Sequence, residues 1–112
     1  MAWRVEFHPE FAVEFAALSL AVRREVLAQA TVLGAIGPAL GRPRVDTLKG
    51  SRLPNLKELR FNAEGGVWRV AFAFDGQRVA VLLAAGDKRG VLPDRFYRRL
   101  IALAEQRFET WW

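Results

Sequence analysis

The strongest constraint on the fold is a series of three apolar-rich segments, about residues 56–62, 66–75 and 78–85, separated by Glu64-Gly65-Gly66 and Asp75-Gly76-Gln77. Short strands joined by tight, glycine-bearing turns close as hairpins, so the three segments predict an antiparallel meander. Along the middle segment Trp68, Val70, Phe72 and Phe74 alternate with Arg69, Ala71, Ala73 and Asp75. Successive side chains of a strand point to opposite faces. One face is therefore bulky and turned to a core, and the other is expected to be a shallow open floor of alanines across which Arg69 looks outward. The same parity sends Leu59 and Phe61 to the core side and leaves Glu58 and Arg60 with Arg69 on one open surface.

The rest of the chain supplies helices and one more strand. Trp3, Val5 and Phe7 alternate with Arg4 and Glu6 until His8-Pro9-Glu10 ends the strand and opens a helix over about 9–18, with Phe11, Phe15 and Leu18 on one side. Ser19 can cap a second helix whose stripe is Val22, Val26, Leu27, Ala30 and Leu33, closed by Gly34 and Gly37-Pro38. Residues 37–54 are rich in glycine, proline and arginine and read as a long loop. Loops beyond roughly 12–15 residues are uncommon in compact domains and tend to be functional, which is the reading taken here. A last helix from about Pro93 turns Phe96, Leu100, Leu103 and Phe108 inward. The expected order is β-α-α-β-β-β-α, an α+β fold in one domain over 1–112.

With 112 residues, 52% of them hydrophobic, no Cys and a single His, the chain has room for one modest core and no material for disulfides or cysteine-ligated zinc. Metal catalysis is not expected. No apolar run reaches the length of a membrane span, and Arg4 and Glu6 interrupt the start where a secretory signal would be apolar, so the expectation is a cytoplasmic protein with no membrane partner. Seventeen Lys and Arg oppose twelve Asp and Glu, and between residues 42 and 99 the count is thirteen bases to six acids. Fourteen of the seventeen bases are arginine, which grips phosphate in two places and stacks on bases. A polyanionic partner fits that distribution; a basic face that merely keeps the domain in solution fits it too.

Several runs together carry a family resemblance. They are Leu40-Gly41-Arg42-Pro43-Arg44-Val45-Asp46-Thr47-Leu48-Lys49-Gly50-Ser51-Arg52, Leu56-Lys57-Glu58-Leu59-Arg60-Phe61, Gly66-Val67-Trp68-Arg69-Val70-Ala71-Phe72-Ala73-Phe74, Ala85-Gly86-Asp87-Lys88 and Arg95-Phe96-Tyr97-Arg98-Arg99-Leu100. In this order, over nearly the full length, they resemble the RelE/ParE superfamily of toxins, and within it the HigB or phage Gp49-like group. The resemblance implies a RelE-like fold: a short antiparallel sheet backed by two N-terminal helices, with a concave surface that in many members enters the ribosomal A site and cuts mRNA. It implies a cognate antitoxin encoded beside the toxin, often a helix-turn-helix protein, through which alone operator DNA is engaged, and no metal or organic cofactor. ParE-type relatives inhibit DNA gyrase by binding, so that alternative stays open, as does a non-toxic basic nucleic-acid-binding module.

Metal-free RNA cleavage uses the 2′-hydroxyl as nucleophile, so a proton must be removed there, charge stabilised on the phosphoryl group and a proton returned to the leaving 5′-oxygen. By the resemblance, Arg60 and Arg69 would clamp the phosphate and Lys88 would transfer a proton, since an ammonium crowded by cations gives up its proton more readily. Glu58 is a second candidate base, with a cross-strand ion pair to either arginine as its bland alternative. Lys49, Arg52, Lys57, Arg89 and Arg98, with Arg99, are candidates for holding the RNA backbone. His8 is expected to be a structural or exposed bystander and Tyr97 to pack in the core. Trp111 and Trp112 either extend the core or form an apolar patch for the antitoxin.

Overall fold

A computed structural model describes residues 2–111. The elements are β1 (Arg4–Phe7), α1 (Pro9–Ala16), α2 (Leu20–Ile36), a 3-10 turn (Gly37–Ala39), β2 (Val45–Thr47), β3 (Lys57–Ala63), β4 (Gly66–Phe74), β5 (Val79–Asp87) and α3 (Pro93–Glu109). Both N-terminal helices start on side-chain caps. His8 Nδ1 accepts from the Glu10 N–H at 3.1 Å and Ser19 Oγ from the Val22 N–H at 3.2 Å, each satisfying a donor that the first helical turn leaves unpaired. The β3–β4 hairpin turns through Glu64 and Gly65, both at positive φ (51° and 74°), the backbone of the tight turn expected there. Leu27, placed in the apolar stripe of α2, faces solvent instead.

The strands form one sheet in the order β1-β5-β4-β3-β2. Two features depart from expectation. The sheet is mixed, because β1 runs parallel to β5, with Arg4 opposite Val79 and Phe7 opposite Leu82. The two helices that follow β1 carry the chain over one face to the far edge, and the meander then returns with its last strand aligned alongside the first. The segment at 37–54 is also more ordered than a loop: β2 pairs antiparallel with β3, with Val45 opposite Leu59 and buried.

A third departure concerns the alanine floor, which is not open. Helices α1 and α2 cover one face through Phe11, Val22, Val26 and Leu33 against Leu59, Val70 and Phe72. On the other face Phe96, Leu100 and Ala104 of α3 pack on Ala71, Ala73, Val81, Leu83 and Ala84, with Leu48 and Leu56 beside them. Small side chains are what let a helix lie down on the strands there. Gly86 extends this logic, since a Cβ on it would stand 2.9 Å from Phe96 Cε1. In β5 the register slips, Ala71 facing Ala84 and Phe72 facing Leu82, which leaves Leu83 as a bulge. Among the described residues no helix is long and apolar enough to cross a membrane.

Candidate active site

Three adjacent strands deliver the site. Arg60 of β3 and Arg69 of β4 are direct cross-strand partners, and Arg69 faces Gly86 of β5 on its other side. Glu58 lies two residues before Arg60 and pairs in register with Asp46 of β2, so all four side chains share a face. The bulge at Leu83 adds Lys88 to them. Strict alternation from Val81 would turn residue 88 toward the α1–α2 core; the extra residue reverses the parity and sets the Lys88 ammonium 5.5 Å over the Tyr97 ring.

Because α3 lies over this face, Arg69 does not look outward: it is 6% exposed, and Glu58 is 5% exposed. The Tyr97 hydroxyl donates to Glu58 Oε2 at 3.3 Å and accepts from Arg69 Nε at 3.3 Å. Arg69 Nη1 donates to the Trp68 carbonyl at 2.9 Å. Arg69 Nε stands 3.7 Å from Glu58 Oε1, and Arg60 Nε 3.8 Å from Glu58 Oε2. Two like charges opposite each other on neighbouring strands repel, and Glu58 is the counter-charge between them. The ion pair and the candidate base are thus one residue. Glu58 Oε1 is buried without a hydrogen-bond partner. Burial pushes the Glu58 carboxyl above the usual carboxylate range, even though the Tyr97 hydrogen bond and both guanidiniums pull it down. Burial likewise raises the Tyr97 hydroxyl.

Of the two paired arginines, Arg60 is the one with reach. Its side chain keeps 32% exposure and stands between two clefts. The larger, about 370 Å³, is lined by Arg42, Asp46, Lys49, Glu58 and Tyr97. The smaller, about 260 Å³, is lined by Pro43, Phe61, Asn62 and Arg69. Asp46 Oδ2 accepts from Arg42 Nη2 at 3.0 Å and lies 3.9 Å from Arg60 Nη1. The Arg42 hydrogen bond holds the Asp46 carboxyl below its ordinary range.

The remaining cations named from sequence do not all gather here. Lys49 is exposed at the larger cleft, and Arg98 is exposed on α3 one residue beyond Tyr97. Arg52 is drawn instead onto the C-terminal half of α3, 3.4 Å from Glu105 and bonded to Glu109. Lys57 shares strand parity with Leu59 and Phe61, which puts it on the face opposite Glu58. Arg89 pairs with Asp87 at 3.8 Å and lines a cleft with Ser19, Val22 and Trp68 on the α1–α2 side. Arg99 lines a third groove between α3 and the end of β5. Of the two bystander readings of His8 the structure selects the structural one: it is buried and bonded through Nε2 to Thr110 Oγ1 at 2.8 Å. Trp111 packs partly buried on the α3-side core and donates to Asp75 Oδ2 at 3.1 Å, whereas Trp112 lies outside the described residues. Sequence reasoning missed Arg42 and Asp46, and assigned Tyr97 to packing alone. Tyr97 does pack edge-on against Phe96, but it sits one residue off the inward stripe, where an amphipathic ring keeps its polar tip available.

Comparison with known proteins places the chain in a family. The family model described as Phage derived protein Gp49-like matches residues 13–109. A Mycobacterium tuberculosis protein named as toxin HigB3 is 47% identical over 90 residues, 75% of this chain and 76% of that one. A second from the same organism, named as toxin HigB2, is 46% identical over 84 residues; the match takes in 74% of this chain but 41% of that longer protein. Among solved structures, an arginine double mutant of the Escherichia coli toxin RelE in the free state superposes with a TM-score of 0.65 at 15% identity, covering 96% of this chain and 98% of its own. The archaeal RelE–RelB complex of Pyrococcus horikoshii gives 0.59 at 23% identity, with 82% and 100% covered. At those identities the two structures establish a common RelE-like fold, while the sequence matches establish kinship: this chain belongs to the phage-derived Gp49-like family, in the group of the HigB-named toxins.

Proposed function

We propose that this chain is the toxin of a type II toxin–antitoxin pair and that it cuts translated mRNA in the cleft around Arg60. The observation that carries the reading is the Glu58 carboxyl, buried between two arginines with its proton affinity raised. A general base works best with a pKa close to the operating pH, and an ordinary exposed glutamate lies well below it.

In this mechanism Glu58 takes the proton from the 2′-hydroxyl as that oxygen attacks the adjacent phosphorus. Arg60, reaching between the clefts, binds the phosphoryl oxygens and offsets the charge that develops on them. Arg69 holds Glu58 and Tyr97 in place and contributes positive potential from below. Lys88 gives a proton to the departing 5′-oxygen, leaving a 2′,3′-cyclic phosphate and a 5′-hydroxyl. Lys49 and Arg98 hold neighbouring phosphates of the RNA strand. The partner in this reading is an antitoxin from the adjacent gene, supported by the RelB-bound state of the archaeal structural neighbour. The substrate in this reading is mRNA on cytoplasmic ribosomes.

Mapping of mRNA 5′ ends after induction tests the reading. Cuts within translated codons, suppressed by co-expression of the product of an adjacent helix-turn-helix gene, are expected. Intact mRNA accompanied by a DNA-damage response would overturn it in favour of gyrase inhibition.

A further inference from the structure

We propose that Asp46, beside Arg42, reads the base next to the scissile phosphate, and that the base it selects is guanine. The inference rests on the nuclease reading above and concerns what the same cleft recognises. A carboxylate in a cleft built for a phosphodiester is at first sight misplaced, since it repels the phosphate. It nevertheless holds a fixed position: on the edge strand β2, opposite Glu58, with Oδ2 3.9 Å from the guanidinium that binds the phosphate. The base carried by the nucleotide at that phosphate is the part of the RNA that Asp46 can meet.

The hydrogen-bonding capacity fits this role. Asp46 Oδ1 accepts from the Thr47 N–H at 2.9 Å and Oδ2 from Arg42, so each oxygen has a lone pair left. The pair presents two acceptor oxygens with a donor fork alongside, and Arg42 is largely exposed at the cleft mouth, its side chain at 76%. Bases of single-stranded RNA are read on their Watson–Crick edges. Guanine is the one base whose edge puts two donors, N1–H and N2–H₂, next to an acceptor, O6. The donors match the carboxylate and O6 matches the Arg42 fork. Cytosine and adenine each offer one amino group beside a ring-nitrogen acceptor that would face a carboxylate oxygen. Uracil flanks its one N–H with two carbonyls.

The test is 5′-end mapping in cells expressing the full chain, comparing wild type, Asp46→Asn and Arg42→Gln, each checked for a cooperative thermal transition. Asp46→Asn keeps an acceptor for the Thr47 N–H and replaces the second oxygen by a donor. Wild-type cuts should favour guanine over uracil at the flanking position by about tenfold, the worth of one good bidentate base contact. That ratio should fall toward one in Asp46→Asn while cutting continues at a lower rate, and Arg42→Gln, which leaves the Asp46–Arg60 contact in place, should fall between. Slower cutting at all four bases with an unchanged distribution would overturn the proposal and make Asp46 a support for Arg60. So would wild-type cuts with no guanine excess. If the wild type makes no cuts at all, the nuclease reading itself fails and takes this inference with it.

Discussion

Replacing Glu58 by glutamine keeps the shape of the side chain and removes its charge from beneath Tyr97. The effect on stability can be worked through linkage. Glu58 has a raised pKa in the fold, so the folded protein binds that proton more tightly than the unfolded chain does. Its contribution to stability is therefore full below the unfolded pKa and is lost as pH rises through the folded one. Glutamine copies the protonated form at every pH. Stability of the wild type minus that of Glu58→Gln should then decline from acid to neutral pH, by about 1.4 kcal/mol for each unit by which the folded pKa exceeds the free one. Glu14, Asp75, Asp87 and Glu105 shift the other way and weaken both proteins on acidification, but they cancel in the difference; Asp46, whose charge helps raise the Glu58 pKa, is coupled to it and adds to the difference. Urea unfolding of both proteins at several values between about pH 4 and pH 8 measures it. Cleavage supplies the second arm: the variant should lose about 10²–10⁴ in rate, and the wild-type rate should climb with pH through the raised pKa. A stability difference that grows with pH would mean that the arginines outweigh burial and that Glu58 is an anchor for them; a variant cutting at the wild-type rate would remove it from the chemistry.

Three further substitutions separate the neighbours' roles. Arg60→Ala should cost at least about 100-fold in cleavage and about 1 kcal/mol in unfolding stability, because the residue is a partly exposed counter-ion of Glu58; an unchanged cleavage rate would remove it from the chemistry. Arg69→Ala should cost more in stability, losing about 3 kcal/mol in denaturant unfolding because it strips a buried carboxylate of a counter-ion, and a wild-type midpoint would show that Arg69 holds nothing. Tyr97→Phe should cost about 1 kcal/mol and move the pH–rate profile to higher pH, since the hydroxyl now pulls the Glu58 pKa down; an unmoved profile would detach Tyr97 from Glu58.

What the sequence disclosed and what it hid divide along the range of the interactions. The hairpin through Gly65, the Ser19 cap and the parity that sets Glu58, Arg60 and Arg69 on one face are local, and each was legible. The parallel seat of β1 and the bulge at Leu83 that brings Lys88 to the site depend on pairing between distant segments, and nothing in the residues themselves announces them. Charge counting failed for a related reason: it cannot distinguish Arg60, whose carboxylate neighbours Glu58 and Asp46 belong to the site, from Arg52 or Arg89, whose carboxylates draw them away from it. The alanines of β4 read equally well as a floor for solvent or for a helix. One signal did favour the helix, namely the unbroken apolar run over residues 79–85, which a strand wet on one side would not need. That cover also decides the chemistry. On an open floor Glu58 would be hydrated and would ionise like any surface glutamate, holding protons too weakly to serve as a base near neutral pH. The helix α3 that displaces solvent from the alanines also displaces it from Glu58 through Tyr97, so the element that contradicts the expected open surface is the one behind the raised proton affinity on which the proposed base depends.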